Sequence, residues 1–244
     1  MLEIACKVDI GIKPKNDDRA AVNSTLVSKD SYAETTEKTC LIVVCDGVGG
    51  EAYGNEAAEI VTKIFSSLSE TALTVDIIKE HISKVNEDVI AAQKTDIEHS
   101  KMTTTIAGLY INGDDFIAFN VGDSRIYRFR NSYISQISKD HSLKQEMMDL
   151  GVDPKPGQES VVTHYIGGTR ADPEIVDGTG RVFENDIYIL CSDGVWGVLS
   201  DEDFENILSK ECKAEELCKA IVDLALQKGS QDNLSAIIAR RTNG

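Results

Sequence analysis

The chain has 244 residues, enough for one large domain that buries a core without disulfides or structural metals. Hydrophobic residues make up 41% and charged residues 27%, ordinary values for a soluble globular protein. Acidic side chains outnumber basic ones 41 to 25, for a formal net charge of −16, and so negative a surface argues against nucleic acid or an anionic membrane as partner.

The first forty residues alternate short apolar stretches with turn signals at Gly11, Pro14 and Asn16. The run TCLIVVC (39–45) is continuous, apolar and rich in β-branched residues, which predicts a buried strand. A helix follows from about Gly54 to Leu68, with Ile60, Val61, Ile64, Phe65 and Leu68 on one face. A second spans about Val75 to Gln93 on a stripe of Ile78, Ile82, Val85 and Val89. Strand patterns return at 103–111, 115–121, 125–130 and 133–137, and the Asn-Gly at 112–113 predicts a hairpin turn.

Beyond Ser142 the pattern weakens to one short helix, LKQEMMDLG, and a Pro/Gly-bearing segment. DIYILCS (186–192) reads as another buried strand. Ser200 is placed to cap a helix through Leu208, with Asp201, Glu202 and Asp203 favourable in its first turn. A helix over about Ala214 to Gln227 leads into a final strand, LSAIIAR (234–240). Runs of strands and paired helices, without strict alternation, favour antiparallel sheets carrying helices on their outer faces. With no Pro/Ser-rich linker or repeat, residues 1–244 read as a single domain.

The six cysteines form no C-x-x-C pair, and the N-terminal MLEIACKVDIG lacks a basic-then-apolar leader pattern. No apolar stretch approaches the roughly 20 residues needed to span a bilayer. A reduced, cytoplasmic setting is the expectation.

Two segments share a pattern: LIVVCDG (41–47) and YILCSDG (188–194) are buried strands ending on Asp46-Gly47 and Asp193-Gly194. Glycine there is expected to permit a tight turn and a close main-chain approach to a ligand. Asp232 stands just before the last strand, and Asp123 lies in a turn between two strands. If these ends meet at one sheet edge, the crowded carboxylates repel and need protons or a cation. An oxygen-only donor set with no histidine close by suits Mg²⁺ or Mn²⁺ over zinc. The competing reading of GVGGEAYG (47–54) as a phosphate-cradling loop fails. It lacks the Lys-Ser/Thr of a P-loop and the G-x-G-x-x-G spacing, and Asp46 would repel a bare phosphate.

An ordered set of motifs then resembles the type 2C, metal-dependent Ser/Thr protein phosphatases (the PPM family), in their bacterial form. It comprises KNDDR (15–19), CDGVGG (45–50), MTTTIAG (102–108), NVGDSRIYR (120–128), SKDHS (138–142), CSDGVWGVLSDED (191–203) and GSQDNLSAI (229–237). The resemblance implies an α+β fold, a four-layer α-β-β-α sandwich of two antiparallel sheets flanked by helix pairs. It implies hydrolysis of phosphoserine and phosphothreonine by two Mn²⁺ or Mg²⁺ ions with a third, weaker site. By the family pattern Asp46 bridges two ions, Asp193 and Asp232 complete the first, and the Gly47 carbonyl joins the second. Asp18, and less directly Asp17, would hold metal-bound waters, and Asp123 with Asp193 would form the third site. Two ions about 3.5–4 Å apart lower the pKa of a shared water and generate a bridging hydroxide.

Departures from the family pattern carry expectations of their own. Lys13 stands where members carry a phosphate-binding Arg, supplying charge without a bidentate fork. Val48 replaces a histidine proposed as general acid in eukaryotic members, which leaves leaving-group protonation to metal-bound water. Thr103 replaces a glycine, with little effect expected. His141 is assigned a structural role, and His164 is not assigned a catalytic one. Residues 143–165 match a mobile flap in position, where Met147, Met148 and the residues near Pro154 would tune substrate choice. The implied partners are phosphoproteins of a Ser/Thr kinase, acted on by a monomer. A non-catalytic phosphoprotein binder has no need of Asp46, Asp193 and Asp232, and the net charge disfavours a nuclease or phosphodiesterase.

Overall fold

The computed structural model describes residues 1–48, 53–69, 72–154, 157 and 161–242. Its strands are β1 (Leu2–Asp9), β2 (Arg19–Val22), β3 (Thr25–Val27), β4 (Asp30–Thr36), β5 (Thr39–Cys45) and β6 (Gly47–Val48) before the first helices. Helices α1 (Gly54–Ser66) and α2 (Val75–Gln93) follow, and then β7 (Thr103–Thr104), β8 (Ile106–Asn112), β9 (Asp115–Val121), β10 (Arg125–Arg130) and β11 (Tyr133–Gln136). The remainder is α3 (Leu143–Asp149), β12 (Glu174–Asp177), β13 (Ile187–Cys191), α4 (Asp193–Trp196), α5 (Asp201–Leu208), α6 (Ala214–Gln227) and β14 (Leu234–Arg241).

Two six-stranded sheets carry the fold, ordered β11-β10-β13-β14-β1-β4 and β12-β9-β8-β5-β2-β3, and each strand pair in them is antiparallel. Between them lies one core, with Ile4, Ile42, Val44, Leu109, Leu190 and Ile237. A second packs α5 and α6 on the first sheet through Phe204, Leu217 and Ile221. A third packs α1 and α2 on the other through Val61, Phe65, Ile78 and Ile82. The architecture is the expected α-β-β-α sandwich.

Burial on both faces explains the continuous apolar run of β5. Cys40, Ile42 and Val44 enter the inter-sheet core while Leu41, Val43 and Cys45 meet the helices. All six cysteines are free thiols. The four predicted stripe residues of α2 are buried, whereas α1 buries Ala57 and Ala58 with Val61 and Phe65 and leaves Ile60 and Ile64 partly covered, and the helix ends at Ser66, short of the equally half-covered Leu68.

Local differences have physical reasons. The hairpin between β8 and β9 closes one residue later than Asn-Gly suggests. Asn112 pairs with Asp115, so Gly113 and Asp114 form the loop, with Gly113 at φ +65° as the first residue of a type II′ turn requires. Edge strands β4 and β12 escape the pattern because both are short on apolar residues, and β12 buries no residue fully. The 103–111 run is interrupted at Thr105, and β7 leaves the main sheet to pair with β6.

Ser200 forms a reciprocal cap on α5. Its hydroxyl accepts from the Asp203 N–H (3.2 Å), and the Asp203 carboxylate accepts from the Ser200 N–H (2.7 Å). Replacing Ser200 by Ala should cost about 1 kcal/mol in urea unfolding, and an unchanged midpoint would show that the box does not stabilise α5.

Candidate metal centre

Antiparallel pairing brings the ends of some strands beside the beginnings of others at one edge of the sandwich. Asp46 follows β5, Asp123 follows β9 and Asp193 follows β13, while Asp18 precedes β2 and Asp232 precedes β14. The result is a cavity of about 270 Å³ lined by Lys13, Asp17, Asp46, Gly47, Val48, Asp123, Val162, Asp193, Asp232 and Asn233. Of the predicted site residues only Asp18 is off the wall. It lies beneath it, 1% exposed, its carboxylate accepting the Ser192 hydroxyl at 2.8 Å.

The carboxylates are fastened through their backbone and neighbours. The Asp46 N–H donates to the Thr105 hydroxyl (3.1 Å), and the Asp46 carbonyl accepts from the Thr104 hydroxyl and the Thr105 N–H, both at 2.8 Å. Thr105 also shares a buried hydroxyl contact of 2.7 Å with Ser124, next to Asp123. Asn233 ties down the loop that carries Lys13. Its side chain donates to the Ile10 and Lys15 carbonyls and accepts from the Asp17 N–H. Asp17 itself accepts from Asn55 N–H at the start of α1. Neither Asn233, Ser192 nor the threonines were expected to organise the centre. The only sequence signal was their place inside the motifs.

The glycines serve close packing and not a turn of unusual hand. Gly47 and Gly194 both have ordinary backbone angles. A Cβ on Gly194 would stand 2.0 Å from the Asn233 carbonyl oxygen, and one on Gly47 would stand 2.5 Å from the Gly54 carbonyl carbon. Asp193 opens α4 instead of a turn. Residues 49–52 of the glycine-rich loop lie outside the described residues, as do 155–156 and 158–160 of the flap-like segment. That segment brings Val162 to the cavity wall, while Met147, Met148 and Pro154 do not line it.

Crowding shows in the proton affinities. Burial, and then the charge of Asp193, raise the Asp46 carboxyl well above its usual range. Asp193 is raised by burial and by Asp232, although a hydrogen bond with Asp46 offsets part of this. Burial, opposed by the Ser192 hydrogen bond, lifts Asp18 to about 7, and burial with Asp193 lifts Asp123 to about 7. Among the described residues Lys13 is the one cationic side chain on the wall, held charged mainly by its hydrogen bond to Asp232, at 2.9 and 3.0 Å from the two carboxylate oxygens. No three of the described His, Cys, Asp or Glu side chains already stand in a close ligand array. The donor set is nevertheless all oxygen and undercompensated in charge, and it fits hard divalent cations.

Both histidines stay off the wall. His141 Nδ1 accepts from the Gly122 N–H (3.3 Å) and the His141 backbone N–H donates to the Gly122 carbonyl (2.9 Å), bracing the turn before Asp123. Burial, with the neighbouring His164, lowers its pKa to about 4, so the acceptor nitrogen stays unprotonated. Arg125 grips Asp140 through Nε and Nη2 (2.7–3.1 Å) and lies 3.6 Å over the Trp196 ring. This joins three motifs that are remote in sequence.

A family model described as protein phosphatase 2C matches residues 19–238. The chain belongs to this family. Among curated relatives, a Listeria innocua protein named serine/threonine phosphatase stp is 24% identical over 236 residues, covering 92% of this chain and 93% of that one. The solved S. agalactiae serine/threonine phosphatase superposes with a TM-score of 0.86 at 26% identity, covering 100% of both chains. The catalytic domain of PstP, solved with two manganese ions, shares the fold at a TM-score of 0.82 and 23% identity, with 100% of both chains covered.

The raised carboxylates carry a linkage prediction for the metal-free protein. Between pH about 4 and about 7 the native state retains protons that the unfolded chain has released. Stability should therefore fall as pH rises through that window. Asp123→Asn should remove part of the slope, and Mn²⁺ should raise Tm more at pH 8 than at pH 5. A slope identical in wild type and Asp123→Asn would contradict the assignment.

Proposed function

We propose that this chain is a metal-dependent protein Ser/Thr phosphatase acting through the Asp46–Asp193–Asp232 edge. The observation that carries the reading is the convergence of five carboxylates, those of Asp17, Asp46, Asp123, Asp193 and Asp232, and the Lys13 ammonium on a single cavity. Membership of the protein phosphatase 2C family and the phosphatase names of its relatives support it. Residues 1–244 are assigned to a single catalytic domain. Asp46 is assigned to both ions, Asp193 and Asp232 to the first, and the Gly47 carbonyl to the second. Asp18 is assigned a supporting role from beneath the wall, and Asp123 with Asp193 a third, weaker site.

Manganese in a relative of the same fold favours Mn²⁺, and the oxygen donors serve Mg²⁺ as well. Divalent ions in this site would neutralise phosphoryl charge and activate water. The protein's own groups do the positioning. Lys13, 2.9 Å from Asp232, can turn its ammonium to a phosphoryl oxygen without a bidentate fork. Val48 gives the cavity an apolar wall with no proton to donate. The substrates are assigned as phosphoproteins of a Ser/Thr kinase, met by a cytoplasmic monomer. No described helix is long and apolar enough to cross a membrane.

With Mn²⁺ or Mg²⁺ the protein should release phosphate from p-nitrophenyl phosphate and from a phosphothreonine peptide, and a chelator should stop both. Asp193→Asn should lose about a hundredfold or more in kcat. A metal-loaded wild type that binds phosphopeptide in calorimetry but releases no phosphate would turn the reading towards a binding module. For Lys13, substitution by Ala should raise KM more than it lowers kcat, and Lys13→Arg should retain binding. Equal kinetics in wild type and Lys13→Ala would remove Lys13 from the substrate site.

A further inference from the structure

Next to the metal cavity lies a second cleft of about 550 Å³, bordered by Val48, Ile90, Gln93, Thr103, Tyr165 and Gly168. Val48 stands on the walls of both. It pairs with Thr103 in the short β6–β7 ribbon, which forms the ridge between the two spaces. A molecule that fills the metal cavity and extends past Val48 therefore enters this cleft.

The cleft is a built feature. Two polar side chains of α2 reach across to the turn after Ile166 and lock it. Gln93 Nε2 donates to the Met102 and Gly167 carbonyls, both at 2.8 Å. Asn86 Oδ1 accepts from the Gly167 N–H (2.7 Å), and its Nδ2 donates to the Gly168 carbonyl (3.2 Å). Gly167 sits at φ +93°, and a Cβ there would lie 2.8 Å from the Met102 carbonyl oxygen, so only glycine lets the turn close on α2. Between these locked walls, Val48, Ile90 and Tyr165 remain only half-buried. Ile90 and Tyr165 lie off the metal cavity, and hydrolysis there makes no use of them.

We propose that this cleft is a substrate subsite that takes an apolar side chain of the phosphoprotein, within about three residues of the phosphorylated position. The inference rests on the phosphatase reading. A phosphoserine or phosphothreonine seated in the metal cavity belongs to a polypeptide. A strand of that polypeptide advances about 3.3 Å per residue, so it crosses the Val48 ridge within a few residues. An apolar side chain there leaves water against Ile90, Val48 and the Tyr165 ring, whereas a serine gains little.

The test compares two phosphothreonine peptides that differ only in carrying leucines or serines at the three positions on each side, with p-nitrophenyl phosphate as a substrate too small to reach the cleft. The Mn²⁺-loaded wild type should prefer the leucine peptide by about tenfold in kcat/KM. Ile90→Glu, and independently Thr169→Trp at the exposed rim, should erase that preference and leave p-nitrophenyl phosphate hydrolysis unchanged. Equal rates on the two peptides with p-nitrophenyl phosphate still cleaved would overturn the subsite and leave the phosphatase reading standing. A preference that survives in a folded Ile90→Glu or Thr169→Trp protein would also overturn it. Failure of the wild type on all three substrates would overturn both.

Discussion

Mutual repulsion among carboxylates that both sheets bring to one edge of the sandwich is the constraint on which the rest of the structure turns. Asp17, Asp46, Asp123, Asp193 and Asp232 face one cavity, Asp18 lies beneath it, and among the described residues Lys13 is the single basic side chain on the wall. Groups so placed would spread apart or protonate if the backbone let them. The backbone does not let them: Thr104 and Thr105 clasp Asp46, Ser192 holds Asp18, and Asn233 secures the loop beneath Lys13. Folding thus maintains an arrangement that disfavours the metal-free charged state, and a divalent cation bound there would relieve it.

The sandwich makes this arrangement affordable in structural terms. Three packed cores hold the strands, and each candidate carboxylate sits just beyond a strand end, where it can leave the core without breaking a ladder. Residues that recur in the motifs but face away from the cavity act as fasteners. Arg125, Asp140 and Trp196 form one such knot, and His141 braces Gly122. A neutral His141 suits that task, because a protonated Nδ1 could no longer accept from Gly122.

Much of the candidate site was legible because its signal is local. A buried strand ending in Asp-Gly is visible at 41–47 and 188–194, and the antiparallel class follows from the grouping of helices and strands. The helices α2 and α5 were readable from a clean apolar stripe and a serine cap. What stayed hidden depends on tertiary packing. Asp18 looks like its neighbour Asp17 in KNDDR, yet one is buried beneath the cavity and the other lines its wall and caps α1. Asn233 reads as an ordinary turn residue, and only the meeting of residues 10–17 with 232–233 gives it a role. The reason for glycine at 47 and 194 was also a matter of packing: foreign backbone lies where a side chain would go. Strands β4 and β12 carry too little apolar pattern to announce themselves.

The central claim is that these carboxylates trade protons for divalent cations. Its most direct test is calorimetric titration of Mn²⁺ into the metal-free protein at pH 6, in two buffers of different ionisation enthalpy. Saturable binding with net proton release is the predicted result, because Asp18 and Asp123 are raised to about 7 and must ionise as the site fills. Binding heats that are the same in both buffers, or no saturable binding at all, would contradict the account.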